Sequence, residues 1–403
     1  MSEDVFICEG KRTPFGRFGG RLKDFDCYEL SAIPIREVAR VLRERDGRVD
    51  EVYWGFGDTA ICKDVFTPCV GRQALLKAGL PPETPSCSFD KACVSGMSAI
   101  YFGWRLIKAG YISNIIGGGV AIQSQIPLLL RDQRWKGSGL GSVVLEDPMS
   151  FGGPRDFPKK LSVIAGESAL SKGITREEQD LWAFESHRKY GEAFLAGKFK
   201  EEIIPIKFIE KGGTETWWDI DEQYRKDANL EKMAKLPTIY GSPTVTAGNA
   251  PGLNDGAAAI LIVSESKVNE LKIEPLARIV TVVSLAFDPG ILAETPAYAI
   301  QKALSNVNMK IDDMKLIEIN EAFACVPLVS AKILAEGDEE KYRDILKRLN
   351  VNGGAVAIGH PNPASGARII MTLAYDLRRR GGGYGVAGIC GALGQGDAII
   401  IEV

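Results

Sequence analysis

The run Ser88-Phe89-Asp90-Lys91-Ala92-Cys93-Val94-Ser95-Gly96-Met97 leads into a helical stretch, a turn at Gly110, apolar Ile115-Ile116 and then Gly117-Gly118-Gly119. Far down the chain the pattern returns. His360 is followed by Ser365-Gly366, a helical stretch, a turn at Gly381-Gly382-Gly383, apolar Val386 and Gly388. The echo predicts an internal duplication whose two helices pack in equivalent places. Cys93 and His360 then stand at helix entrances facing one central site. Short apolar runs such as Val5-Phe6-Ile7, Ile260-Leu261-Ile262-Val263 and Ile399-Ile400-Ile401 alternate with longer helical patterns, the rhythm of α/β layers.

Between the halves, over residues 122–248, composition shifts toward charge, proline and tryptophan, with Pro154-Arg155-Asp156-Phe157-Pro158 and Trp217-Trp218-Asp219. This stretch predicts an inserted loop domain, either an irregular cover over a core or a lid for a substrate. One helix is legible in it, from Glu177-Glu178 to Phe194, with Thr175 and Glu178 as a capping box and Leu181, Phe184, Tyr190 and Phe194 on one face. The division expected is 1–121 and 249–274 for the N-terminal half, 122–248 for the insert and 275–403 for the C-terminal half.

A chain of 403 residues with 49 basic and 52 acidic side chains carries a net charge of -3 and no basic stripe, which argues against nucleic acid as a partner. No apolar run reaches the roughly 20 residues of a membrane span, and Met1-Ser2-Glu3-Asp4 is acidic, so the expectation is a cytoplasmic protein without a membrane partner. Eight cysteines, at 8, 27, 62, 69, 87, 93, 325 and 390, include no CxxC pair, and only His187 and His360 are present to help them. No metal site is expected, and the thiols should be reduced.

Four segments carry chemistry. Cys93 precedes a helix rich in small residues, where the helix dipole and unpaired N–H groups are expected to lower its pKa. His360 lies in Asn352-Gly353-Gly354-Ala355-Val356-Ala357-Ile358-Gly359-His360-Pro361, poised to take a thiol proton and then donate to an oxyanion. The other histidine, His187, falls in Glu185-Ser186-His187-Arg188-Lys189, which reads as a solvated helix face. Cys390 sits in the glycine-rich bend Ile389-Cys390-Gly391-Ala392-Leu393-Gly394, a thiol suited to a second proton transfer. Asn320, in Glu318-Ile319-Asn320-Glu321-Ala322-Phe323-Ala324, offers an amide able to hold a water. Taken singly, each has a plain structural explanation: packing, a tight turn or a helix start.

Together, in order and separation, these segments resemble the thiolase family along the whole chain, supported by the stretches at Lys11–Gly20, Thr175–Asp180 and Thr246–Ala259. The resemblance implies the thiolase fold: two duplicated βαβαβαββ halves in a five-layered α-β-α-β-α arrangement with an inserted loop domain. It implies that Cys93 is acylated, that His360 activates it and that Cys390 exchanges the α-carbon proton. His360 and Asn320, the latter through a water, would form one oxyanion hole, and the N–H groups of Cys93 and Ala392 the other. Coenzyme A enters as a substrate, with no tightly bound cofactor, alongside an acyl-CoA. Arg225, in Asp221-Glu222-Gln223-Tyr224-Arg225, matches the arginine that packs on adenine, and Tyr240, Ser162, Ala250, Pro251 and Gly252 complete the candidate substrate and CoA contacts. A homodimer or dimer of dimers is implied.

Some positions depart from the ordinary acetoacetyl-CoA pattern. Leu161-Ser162-Val163 replaces His-Met-Gly, Pro251 replaces a serine that touches the CoA arm, Pro363 replaces a glycine, and Ala392 replaces a glycine whose N–H matters. Loss of the methionine suggests a roomier acyl pocket, lined in part by Trp135, Trp217 and Trp218, and a branched or aromatic 3-oxoacyl-CoA. Diverged members such as benzoylsuccinyl-CoA thiolase act on such substrates, some with a small zinc-ribbon and OB-fold subunit. The alternatives are an ordinary acetyl-CoA C-acetyltransferase, a ketoacyl synthase on the same fold, and an inactive CoA-binding or scaffolding subunit.

Overall fold

The computed structural model describes residues 3–57, 69–137, 139–150, 157 and 159–403. Cys62, Pro154-Arg155-Asp156 and Pro158 lie outside them.

The duplication is written in the strand order. In the first half the order is Ser86–Phe89, Glu51–Phe56, Asn114–Ile122, Asn254–Ser264, Val5–Arg12. The first three strands run parallel, and each later pair is antiparallel. In the second half Leu349 bridges in parallel to Ile317 on Leu316–Ile319, followed by Tyr384–Gly391, Gln395–Glu402 and Ala277–Ala286 with the same sequence of directions. The halves join where Phe6 and Ile7 meet Arg278 and Ala277.

Helices Ser95–Lys108 and Asn362–Arg379, the two copies of the repeated element, pack on each other and on strands of both halves, making the middle layer. Cys27–Arg43 covers the outer face of the first half and Thr295–Asn306 that of the second, which completes the five layers. Burying strands on both faces accounts for the near-continuous apolar runs, since every residue of Asn114–Ile122 and Asn254–Ser264 is buried. The helix crossing explains the repeated Ser-Gly. A Cβ on Gly96 would sit 2.3 Å from the Pro363 carbonyl oxygen, and one on Gly366 would sit 2.5 Å from the Met97 nitrogen. Only glycine lets the two backbones come this close, so the repeat fixes how near Cys93 and His360 can approach.

The insert between Asn114–Ile122 and Asn254–Ser264 is more regular than its composition suggests. It holds helices Leu161–Ser171 and Arg176–Leu195 and a hairpin of Ile206–Ile209 with Glu215–Trp218. Arg176–Leu195 starts at the expected box: Thr175 Oγ1 accepts from the Glu178 N–H at 3.2 Å, and the Glu178 carboxylate accepts from the Thr175 N–H at 2.7 Å. Of the expected face, Tyr190 is buried and Phe184 and Phe194 pack against the cores, but the buried side is wider and more polar than expected. Leu181 is half exposed, while Gln179, Trp182, Ala183, Ser186, His187 and Tyr190 are buried. Polar side chains hold helical spacing here because the core supplies Glu321 as a partner: its carboxylate accepts from Trp182 Nε1 and Ser186 Oγ, both at 2.9 Å. Ile164, Ala165, Ala169 and Ala183 merge into the core of the second half beside Ile319 and Val326. The insert is thus built into the domain and not merely laid over it.

The tryptophans do not form the expected wall. Trp218 is buried in the first-half core, edge-on to Phe208, while Trp217 and Trp135 point to solvent. A hairpin alternates its faces, so of two adjacent tryptophans only one can enter the core.

Candidate active site

Cys93 lies in the short turn Ala92–Val94 that feeds helix Ser95–Lys108. Ala92 takes a left-handed φ of 52°, uncommon without glycine. Three bonds hold the turn: the Ala92 N–H donates to Asp90 Oδ1 at 2.7 Å, the Lys91 N–H donates to Ser95 Oγ at 2.8 Å, and Ser95 Oγ donates to the Ala92 carbonyl at 2.7 Å. The thiol is buried, and burial pushes its pKa up to about 12, against the pull of the N–H groups of Cys93 itself and of Ala392, both aimed at the sulfur. The expected lowering is therefore not met in the free protein. Desolvation of a thiolate outweighs two amide donors at this depth.

His360 stands between Ala355–Ile358 and Asn362–Arg379, its N–H donating to Asn254 Oδ1 at 2.8 Å. Ring Nδ1 lies 2.7 Å from Ser365 Oγ and 3.4 Å from Asn320 Nδ2, while Nε2 is buried with no polar partner among the described residues. Burial, with a smaller contribution from Arg368, lowers its pKa to about 3. The ring is neutral at pH 7 and keeps one nitrogen lone pair.

Asn320 follows strand Leu316–Ile319 and is buried; its N–H donates to the Gly388 carbonyl at 3.0 Å. Its Oδ1 accepts from Arg368 at 3.4 Å, which turns the amide nitrogen toward His360. Arg368 also faces Glu318, at 3.4 Å, whose carboxyl is pushed up to about 8 by burial. Cys390 is the penultimate residue of strand Tyr384–Gly391, fully buried; burial raises its pKa well above the usual thiol value, and the neighbouring Cys93 and Cys325 add to the shift. In the bend after it, Leu393 (φ 63°) and Gly394 (φ 71°) take the left-handed conformation and Ala392 does not. The Cβ of Ala392 is therefore tolerated, and its N–H still faces Cys93. Asn320 contacts His360, and the Cys93 turn packs on strand Tyr384–Gly391, which bears Cys390, and on helix Asn362–Arg379, which follows His360; of the five predicted residues, all but the half-buried Ala392 are buried.

The other candidates divide. Ser162, at the start of Leu161–Ser171, is buried with its Oγ unpartnered among the described residues, and Ala250 is buried in the same core. Pro251 is half-buried and Gly252 exposed beside Gln223. Tyr240 is exposed with Lys160 Nζ 4.8 Å over its ring. The Arg225 side chain is exposed, and its backbone N–H donates to His187 Nδ1 at 3.2 Å. His187 is thus no solvated residue. It is buried, and burial together with Arg225 lowers its pKa to about 4.

Sequence reasoning passed over Ser365, Arg368 and Asn254, which hold His360 and Asn320. The one signal for Arg368 was a charge directly before the apolar run Ile369-Ile370-Met371. Among the described residues no group of three or more His, Cys, Asp or Glu is placed to hold a metal ion, and no helix is long and apolar enough to cross a membrane.

Comparison with known proteins gives the family. Residues 5–266 match the family described as thiolase, N-terminal domain, and residues 273–403 match thiolase, C-terminal domain. An acetyl-CoA acetyltransferase of Syntrophomonas wolfei is 37% identical, with both chains fully covered. A beta-ketoadipyl-CoA thiolase of Pseudomonas knackmussii is 35% identical, again over the whole of both chains. The crystal structure of human mitochondrial 3-ketoacyl-CoA thiolase in complex with CoA superposes with a TM-score of 0.90 at 36% identity, covering 99% of this chain and 98% of that one. Two family domains spanning nearly the whole length, on a duplicated five-layer fold, leave one conclusion: this chain belongs to the thiolase family and is an enzyme of that type.

Proposed function

We propose that the enzyme cleaves a 3-oxoacyl-CoA with free coenzyme A, or runs the reverse Claisen condensation, through an acyl-Cys93 intermediate. The observation that carries this reading is the packing of the Cys93 turn Ala92–Val94 against both strand Tyr384–Gly391, which bears Cys390, and helix Asn362–Arg379, which follows His360. With a thiol near 12 and an imidazole near 3, the resting pair stays neutral. The thiol proton passes to the free ring nitrogen of His360 only as sulfur attacks the 3-keto carbon. The negative charge that develops on that oxygen falls to the backbone donors of Cys93 and Ala392. The carbon–carbon bond then breaks, an acyl-CoA enolate leaves and takes a proton from Cys390, and Asn320 with His360 stabilises the enolate oxygen. Free CoA gives its thiol proton to Cys390 and attacks the acyl-Cys93 carbonyl; the bond to the Cys93 sulfur breaks, that sulfur takes back the proton held on His360, and a second acyl-CoA is released. Arg225 and Tyr240, exposed on the insert, receive the adenine end. Assays of CoA-dependent cleavage test the reading, with mass spectrometry of the acyl adduct: Cys93→Ala should be inactive and unacylated, and a turning-over Cys93→Ala enzyme overturns it.

The acyl group is larger than that of acetoacetyl-CoA, and the support for this is the small, buried Ser162. Trp135, Trp217 and Trp218 line no wall for an aryl group, since Trp217 and Trp135 face solvent and Trp218 fills another core. Ser162→Met should favour acetoacetyl-CoA over branched 3-oxoacyl-CoA esters. An apolar pocket discriminates about 1–3 kcal/mol per methylene, or about 10- to 200-fold in kcat/KM. Unchanged ratios would remove the size argument.

The chain works as a homodimer on the edge strand Ser86–Phe89. Among the described residues no strand pairs with its outer side, and a groove of about 880 Å³ lined by Phe89, Phe102, Trp104 and Tyr111 lies beside it. A monomer mass in sedimentation counts against it.

A further inference from the structure

One charged cluster lies outside this chemistry yet touches both thiol-bearing segments. Asp397, in the final strand, is fully buried. Its Oδ1 is 2.7 Å from Lys91 Nζ, and its Oδ2 accepts from Ser98 Oγ. Lys91 Nζ also donates to Ser284 Oγ, and Ser284 is the residue paired with Asp397 across the antiparallel ladder. On its other side Asp397 pairs with Ile389, next to Cys390. Lys91 is two residues before Cys93, and Ser98 lies on the helix that Cys93 introduces. Lys91 and Ser98 thus come from the first half, Ser284 and Asp397 from the second.

A buried ion pair adds little net stability, because desolvation of both charges offsets their attraction, and pairs replaced by apolar groups often leave a fold equally stable. What such a pair does provide is register. The Cys93 turn contains the left-handed Ala92, shaped by three bonds within residues 90–95. Those bonds set the shape of the turn but not its position against the Ala392 bend, whose N–H must reach the Cys93 sulfur.

We propose that Lys91 and Asp397, with Ser98 and Ser284, are positioning residues that lock the Cys93 turn to the Cys390–Ala392 segment. The inference rests on the reading of Cys93 as the acylated residue. The pair contacts no reacting atom in this arrangement. It acts by holding the sulfur in line with the amide donors and with Cys390.

The test compares wild type, Lys91→Met/Asp397→Leu, the near-isosteric Asp397→Asn and Lys91→Arg. Each is assayed for steady-state kcat and KM, for the single-turnover rate of acylation of Cys93 by an acyl-CoA, and for melting temperature. The expected result is a loss of at least about tenfold in kcat and in acylation rate for the double variant and for Asp397→Asn, with KM within about threefold, melting little changed in the double variant and lowered in Asp397→Asn, which leaves Lys91 without its counter-charge, and substantial recovery in Lys91→Arg. Asp397→Asn keeps the packing, so it decides the matter if the double variant does not fold. Normal acylation and kcat in Asp397→Asn overturns the proposal, as does a lowered melting temperature with unchanged kcat per folded molecule. If wild type itself shows no acyl-Cys93, the underlying assignment fails instead, and the two failures are told apart by that one measurement.

Discussion

Ser365 Oγ lies 2.7 Å from His360 Nδ1, both buried, while the other ring nitrogen, Nε2, has no polar partner among the described residues. The hydroxyl engages one nitrogen and leaves the other for chemistry. Ser365→Ala should leave the ring free to turn and should lower kcat by about tenfold or more, with KM changed little, as for a group that orients a general base. Steady-state kinetics decide it; an unchanged kcat means that Asn320 and the Asn254 contact suffice to hold the ring.

Because burial holds the Cys93 thiol near 12, its reactivity must come from His360 and not from a thiolate formed in advance. His360→Asn should slow iodoacetamide alkylation of Cys93 at pH 7 by about tenfold or more, with the exposed Cys69 and Cys87 serving as internal references. Peptide mass spectrometry over time reads the rates. Equal alkylation of Cys93 in the variant and wild type contradicts the proton-transfer account.

Cys390→Ser should separate the two halves of the reaction. Proton transfer at the α-carbon loses a well-matched acid, so turnover falls by about two to four orders of magnitude, while Cys93 still takes an acyl group from a reactive thioester. Deuterium exchange into the acyl-CoA product, followed beside the acyl adduct, distinguishes the steps. Normal exchange would remove Cys390 from the mechanism.

Stability should fall in mild acid. His187 and His360 have folded pKa values near 4 and 3, below the 6.5 of an unperturbed imidazole, because burial disfavours the charged ring. Below pH 6.5 the unfolded chain therefore binds protons that the folded chain does not. The stability from neutral burial is complete above about pH 6.5 and is lost as pH falls toward 4 and then 3. Urea midpoints at pH 7.5 and 5.0 should show the drop, and His187→Gln should show a smaller one. A midpoint that does not move between these pH values would mean that the two rings are already charged in the fold.

The duplication and the middle-layer helices were legible in the residues, because each rests on a local pattern, and Cys93, His360, Asn320 and Cys390 stood out as candidates by their segments. Ser-Gly marks the helix crossing, and Thr175 with Glu178 marks a helix start. Other properties came only from the tertiary structure. His187 and Ser186 read as a solvated face because a periodicity count scores polarity, whereas Glu321, supplied by the other half, makes a polar face compatible with burial. The thiol of Cys93 moved up instead of down because desolvation depends on everything packed around it, and the sequence shows only the helix behind it. The tryptophans at 217 and 218 were adjacent in the chain but parted by the pleat. The pairing of Lys91 with Asp397 joins residues from opposite halves, and burial and partner choice of that kind are long-range quantities that no local pattern encodes.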